Sequence, residues 1–493
     1  MLVVATACVL GAPTALAFFS GGFYTQPRLV AAIGAWLLLL VLAVMGPAPL
    51  PRTRPGVVAL SGLCLLTVWS AISIAWAPLG GPAVQAVQRL VLYTGALLAA
   101  MSVLRLPRAL RATEPALAAG ATVVIGYGLA GRLLPGVLDL DRSRGAGGRL
   151  EQPITYWNGE GALAAIGLVL CARIAGDGSR HPALRTAAAA ATVPLGAGVY
   201  LSYSRGALAV AVLGLLILVA AAPSYAQLRA GVIALVAMGA ASLCTAAFSG
   251  VASLEGSLHH REAEGAAVLG ILLVLAAVAA FGLRPKRPGG DRPLAFARYL
   301  GPAAAAITAA VVLALALGGI GERATKAELA AGAGAGRLTT VNSNRYEYWR
   351  VAVNAFAHEP LTGLGAGGFR TEWLKERRIT EAVKDTHSLE LEFAADLGLV
   401  GLLGFGLAVG GVAAAARNAL RDRRELAAGP LAAALVWLLH ASIDWDWQLP
   451  AVTLPAIVLG GALIVIGERS PDRAAAVPPV PAAPTPDPSP ARS

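Results

Sequence analysis

Residues 29–46 read LVAAIGAWLLLLVLAVMG, eighteen positions without a charged side chain. A run of that length and composition suits a helix crossing the ~30 Å hydrocarbon core of a bilayer. Such runs recur along the chain. Fourteen segments read as spans: 2–18, 29–46, 56–77, 87–104, 115–134, 159–175, 184–202, 206–223, 230–248, 265–283, 298–320, 388–416, 430–444 and 450–467. The 493 residues are 57% hydrophobic and 14% charged, with a mean hydropathy of +0.67. An ordinary soluble domain carries about 25% charged residues. The expected fold is all-α: a polytopic transmembrane helix bundle of about 12–14 spans, with one long extracytoplasmic loop containing an amphipathic helix.

Three parts are expected. Residues 1–150 hold N-terminal spans, 151–467 a transmembrane core with the outer loop 321–387, and 468–493 a disordered cytoplasmic tail, Pro- and Ala-rich from Ser470. The first span reads as an uncleaved helix: Thr14-Ala15-Leu16-Ala17 resembles a cleavage site, but residues 1–10 hold no Lys or Arg. Lys and Arg set the orientation. With a cytoplasmic N-terminus, 21 fall in the cytoplasmic loops and tail and 8 in the short outer loops. Both termini are therefore expected in the cytoplasm and the long loop outside. The net charge of +11 is topological on this reading and implies no nucleic-acid partner. Cys8, Cys64, Cys171 and Cys244 lie far apart in apolar runs, which points to neither disulfides nor a zinc site.

The outer face gathers polar groups that a bilayer protein rarely carries without a polar substrate. Tyr203-Ser204-Arg205-Gly206 joins two spans, so Arg205 sits at the interface, either snorkelling to headgroups or fixed to bind a phosphate. In 342–358, Asn342, Ser343 or Asn344 can cap a helix whose Tyr346, Trp349, Val353 and Phe356 form an apolar stripe. Arg345 shares the face of Trp349, while Arg350 projects elsewhere. The glycines of 360–368 read as a plain turn or a phosphate nest. His387 stands at a span's mouth, with Glu390 one turn on to orient its imidazole. Asp444-Trp445-Asp446-Trp447 reads either as a sugar site or as an aromatic belt with solvated carboxylates. Trp76 and Trp157 also sit near span ends. His440, inside a span, is expected to hydrogen-bond to a neighbouring helix.

Taken in order, Arg345, Trp349, Pro360, Gly363 and Gly365, then His387-Ser388, Leu391, Gly398-Leu399 and Gly401, resemble the characteristic region of the O-antigen ligase and polymerase superfamily. Trp157-Asn158-Gly159 and Tyr203-Ser204-Arg205-Gly206 are similar to further motifs of it, and the resemblance covers roughly 150–450. It implies glycan transfer on the outer face of the bacterial inner membrane, from a polyprenyl-diphosphate donor to an acceptor hydroxyl. Carried over, Arg205 and Arg345 hold the diphosphate and His387 activates the acceptor; Ser388 stands where the family usually has Asn. Two guanidiniums in a low-dielectric pocket stabilise a diphosphate leaving group without a metal or cofactor. Asn158, Tyr203, Arg350, Glu390, Asp444 and Asp446 are expected around the substrate. The acceptor, whether glycan, lipid, cell-wall polymer or protein, stays open. So does the choice between ligase and polymerase. A transporter or flippase is the rival from another class; it would place ionisable groups near mid-membrane on discontinuous helices.

Overall fold

The computed structural model describes residues 1–283, 293–317 and 344–469. The expectations for 321–343, including caps at Asn342 and Ser343, and for the tail from Ser470 lie outside the described residues. The chain is an all-helical polytopic bundle. Its helices are α1 (Leu2–Ala17), α2 (Thr25–Met45), α3 (Arg54–Ser73), α4 (Gly80–Leu104), α5 (Pro107–Leu133), α6 (Trp157–Gly176), α7 (Pro182–Leu201), α8 (Arg205–Ala221), α9 (Tyr225–Ala246), α10 (Ser249–Ala252), α11 (Leu258–Gly282), α12 (Ala297–Leu317), α13 (Arg345–His358), α14 (Phe369–Glu376), α15 (Leu389–Ala441) and α16 (Pro450–Glu468).

Local chemistry sets many of the helix starts. Proline occupies the first turn of α3, α5, α7 and α16, where its missing N–H costs no helical bond. Ser204, Ser224, Ser257 and Ser388 cap α8, α9, α11 and α15 by accepting from a backbone N–H inside the first turn.

Among the described residues, nine helices are long and apolar enough to cross a membrane; α1 and α8 are apolar but shorter. The spans expected at 388–416 and 430–444 both fall within α15, as separate helical segments either side of a break at Arg423, where φ is −145°. The first segment also bends at Gly398.

The core sits around α6, in which every residue from Asn158 to Gly176 is buried. Helix association in lipid relies on close packing of small residues rather than on a hydrophobic drive. A methyl group at Gly167 would meet Ala121 at 2.7 Å. One continuous apolar core joins α1–α5 to α6 and the later spanning helices. At the end away from the 344–388 segment, Arg180 pairs with Glu114 at 2.7 Å and Arg105 with Glu468 at 2.8 Å.

The 344–388 segment has its own small core. Tyr348, Val351, Ala352 and Ala355 of α13 pack with Phe369 and Trp373 of α14, Val383, and Ala395 of α15. The stripe read from the sequence is a different face: Val353 is 51% exposed. The face of Tyr348, Val351 and Ala355 is the one that packs on α14. Asn344 does not cap α13 with its side chain, which donates to Glu381 Oε2 at 2.9 Å.

The glycine stretch is a turn whose amides are already taken. Gly367 N–H and Phe369 N–H donate to the Asp396 carboxylate at 2.7 and 2.8 Å. Gly363 has φ +66°, and a Cβ there would lie 2.4 Å from the Asp396 backbone. Gly363→Ala therefore carries both left-handed strain and a backbone clash, on the order of 1–3 kcal/mol or more. Gly406→Ala, with nothing within 4 Å of its Cβ, is the control. Thermal melts in detergent should show Gly363→Ala several degrees below wild type and Gly406→Ala unchanged; equal melts would contradict this packing.

Candidate active site

Asp444 sits in the link between α15 and α16 and is 1% exposed. A buried carboxylate must be matched by donors. Tyr156 Oη donates at 2.6 Å, Asn158 Nδ2 at 2.7 Å and the Trp445 N–H at 2.9 Å. Arg345 of α13 completes the set with a direct ion pair. Burial pushes the Asp444 carboxyl up, but Arg345, then His387 and His440, hold it below the usual carboxylate value. Burial disfavours the Arg345 charge in turn, and Asp444, Tyr156 and Tyr348 outweigh it. The Arg345 side chain keeps 24% exposure, so its guanidinium is both anchored and reachable.

His387 stands beside this pair. Its ring lies 5.1 Å from the Tyr348 ring and 6.4 Å from that of Trp445. Nδ1 contacts the Asp385 carbonyl at 3.1 Å, so Nδ1 carries the proton and Nε2 is left as the acceptor. Its φ is +55° and that of Tyr203 is +46°, a left-handed conformation uncommon outside glycine. Glu390 does not orient this imidazole: it accepts from Ser388 Oγ at 3.2 Å and Ser442 Oγ at 2.7 Å. The helical-spacing argument failed because His387 precedes the helix and turns away from it.

Asp446 is also fully buried, so neither a solvated belt nor an open sugar site describes it. It pairs with His440 Nδ1 at 2.5 Å. His440 Nε2 faces Ser204 Oγ at 3.5 Å, and Ser204 caps the helix that Arg205 opens. The Arg205 backbone is thereby seated on the 440–446 corner, with Asp446 in electrostatic reach of Arg345.

Two expected residues point elsewhere. The Tyr203 hydroxyl donates to the Ala252 carbonyl at 3.0 Å. Arg350 holds Glu347 at 2.8 Å and the Glu376 carbonyl at 2.8 Å, within the loop. Asn158 spends its amide protons on Asp444 and on Tyr156 Oη at 2.8 Å, so it positions the carboxylate. Sequence reasoning missed Tyr156, Tyr348 and Glu381; the last accepts from Tyr348 Oη at 2.5 Å and steadies α13. Among the described residues no three His, Cys, Asp or Glu side chains gather as metal ligands.

Burial lowers the His387 pKa, Asp444 opposes that and Arg345 adds to it. The imidazole is therefore neutral at pH 7 and should titrate below its ordinary value of ~6.5. Asp444→Asn removes the opposing anion, so titration should move to still lower pH. NMR of labelled histidine checks both, and a wild-type His387 titrating above ~6.5 would contradict the geometry.

Part of the chain's second half is similar to a known family. No curated protein matches it, but residues 262–406 match the family model described as O-Antigen ligase. That stretch contains Arg345, Arg350, His387 and Glu390, and leaves Asn158, Tyr203, Arg205, Asp444 and Asp446 outside. With nine helices among the described residues long and apolar enough to cross a bilayer, the chain is a multi-pass membrane protein whose residues 262–406 are similar to the O-antigen ligase family.

Proposed function

We propose that this protein is a glycosyltransferase that moves a glycan from an isoprenyl-diphosphate carrier to an acceptor hydroxyl. The reaction takes place at the end of the bundle that carries α13. The single observation that carries this reading is the convergence of Arg345 and His387 on the buried Asp444. The excess of Lys and Arg in the opposite loops supports an extracytoplasmic site in the inner membrane.

In this reaction the acceptor oxygen bonds to the anomeric carbon as the bond from that carbon to the diphosphate oxygen breaks. The electron pair leaves with the diphosphate, and Arg205 and Arg345 meet the charge that develops there. His387 Nε2 takes the hydroxyl proton. Asp444 then favours the imidazolium while keeping Arg345 in place. Because the two arginines supply the positive charge, the step needs no metal.

Purified protein in lipid, given one defined isoprenyl-diphosphate repeat unit, tests the reading. Wild type should convert it, and His387→Ala should lower the rate by about 10²–10⁴-fold while still binding donor. Products resolved by size separate the outcomes: a ladder on the repeat unit alone marks a polymerase, and transfer that needs an added acceptor marks a ligase. A wild-type rate in folded His387→Ala protein would overturn the assignment.

A further inference from the structure

The link between α5 and α6 gathers arginines that the transfer reaction leaves unused. Residues 138–152 read LDLDRSRGAGGRLEQ. Gly147 and Gly148 take φ of +54° and +88°, a left-handed path that glycine follows without steric cost. Along it the Gly148 carbonyl meets the Arg132 Nη2 donor at the end of α5. The Leu150 N–H fastens the segment to the Leu201 carbonyl at 2.9 Å. Folded this way, the link encloses a cavity of about 30 Å³, with Arg132, Arg142, Arg149, Glu151 and Leu254 in its wall.

Positive charge in this wall lacks a match. Arg132 is 4% exposed, and its Nη1 is buried with no partner among the described residues. A guanidinium does not escape that cost by shedding its proton. Arg142 is exposed and, among the described residues, makes no hydrogen bond or ion pair. Arg261 is in electrostatic reach of both, and its Nε is also buried without a partner. Two acids stand near. Asp139 is in reach of Arg142. Glu151 accepts from the Ser143 N–H at 2.5 Å and Ser143 Oγ at 2.6 Å, and pairs with neither Arg132 nor Arg142. Unmatched buried donors around a cavity call for an anion.

Arg149 ties the cavity to the transfer site. Its guanidinium lies over the Trp157 ring, 3.8 Å from the centroid. The Trp157 ring is 5.1 Å from that of Tyr156, whose hydroxyl holds Asp444. A glycan seated at Asp444 and extended over the start of α6 would bring its substituents here. The volume admits two or three water-sized groups at ~10–15 Å³ each. A phosphate or carboxylate group enters it; a sugar ring does not.

We propose that this cavity binds an oxyanion, a phosphate or carboxylate substituent of the glycan, and so selects acidic glycans over neutral ones. Arg132 takes the group from the buried side and Arg142 from the exposed side, each guanidinium matching two oxygens with parallel N–H bonds. This names a substrate class for the transfer reading and rests on that reading for the source of the anion.

Calorimetric titration of the full chain in maltoside detergent, which carries no phosphate, tests the cavity without any transfer. The probes are glucuronate and inorganic phosphate, with glucose as the neutral control. Both anions should bind and glucose should not. Arg142→Gln should weaken the anions about tenfold or more, the scale of a lost charge-assisted hydrogen bond. Arg142→Glu, which puts a tethered carboxylate in the wall, should abolish binding without lowering the melting temperature. Arg345→Gln should bind both anions as wild type does. In transfer, a uronate-bearing repeat unit should exceed its neutral counterpart about tenfold or more in kcat/KM, a gap that Arg142→Gln closes. Equal anion binding by wild type and Arg142→Glu would overturn the proposal. So would binding lost in Arg345→Gln alone, which would put the anion at the transfer site. Glucuronate displaced in phosphatidylglycerol nanodiscs would overturn it too, giving the cavity to lipid headgroups. Anion binding that depends on Arg142, with no transfer of any repeat unit, would instead count against the transfer reading and leave the oxyanion site standing.

Discussion

The burial of Asp444 is the constraint on which the site depends. A carboxylate at 1% exposure is tolerable only with its oxygens matched, and the donors come from three separate parts of the chain. Tyr156 and Asn158 arrive with the start of α6, Arg345 with α13, and the Trp445 N–H with the link itself. The most buried helix of the bundle is thereby tied to the segment that lies across its end. Removing one charge of such a pair leaves the other uncompensated, a loss on the order of 3–5 kcal/mol. The same ion pair places one cation and one neutral imidazole side by side, a combination suited to a leaving group and an incoming hydroxyl.

A second buried carboxylate holds that segment down. Asp396 takes the amides of Gly367 and Phe369, and Gly398 bends α15 just beyond it. The Leu364 N–H reaches the Ala395 carbonyl at 2.9 Å and the Leu399 N–H the Pro360 carbonyl at 2.8 Å. The glycine stretch thus has no amides left for a phosphate at these positions. Its task is to dock α13 and α14 on the bundle, so that the tilt of α13 aims Arg345 at Asp444. On the proposed reading, charge recognition falls to the side chains of Arg205 and Arg345.

Much of the bundle was legible because lipid leaves the backbone few alternatives: an apolar run such as 29–46 must become a helix. The helix starts capped by Ser204 and Ser388 are set by side-chain hydrogen bonds that the apolar pattern alone does not mark. The bend at Gly398 was not legible, because the apolar pattern continues past it, whereas the break at Arg423 falls in the charged stretch 417–425 that separates two spans in the sequence. The face of α13 that packs on α14 was not legible, because its partner lies in a separate helix of the same loop. Asp444 and Asp446 looked like solvated or sugar-binding groups; their burial depends on Tyr156, Asn158 and His440, and two of these lie nearly 300 residues away in sequence. Arg205, Arg345 and His387 took their roles from the resemblance.

The most direct test of the central claim is a cryo-electron microscopy structure of the His387→Ala protein with an isoprenyl-diphosphate-linked glycan trapped before transfer. The account expects the diphosphate between Arg205 and Arg345, with the anomeric carbon turned toward the space vacated by the imidazole and Asp444 still paired to Arg345. A diphosphate bound away from both arginines, with the glycan remote from residue 387, would contradict it.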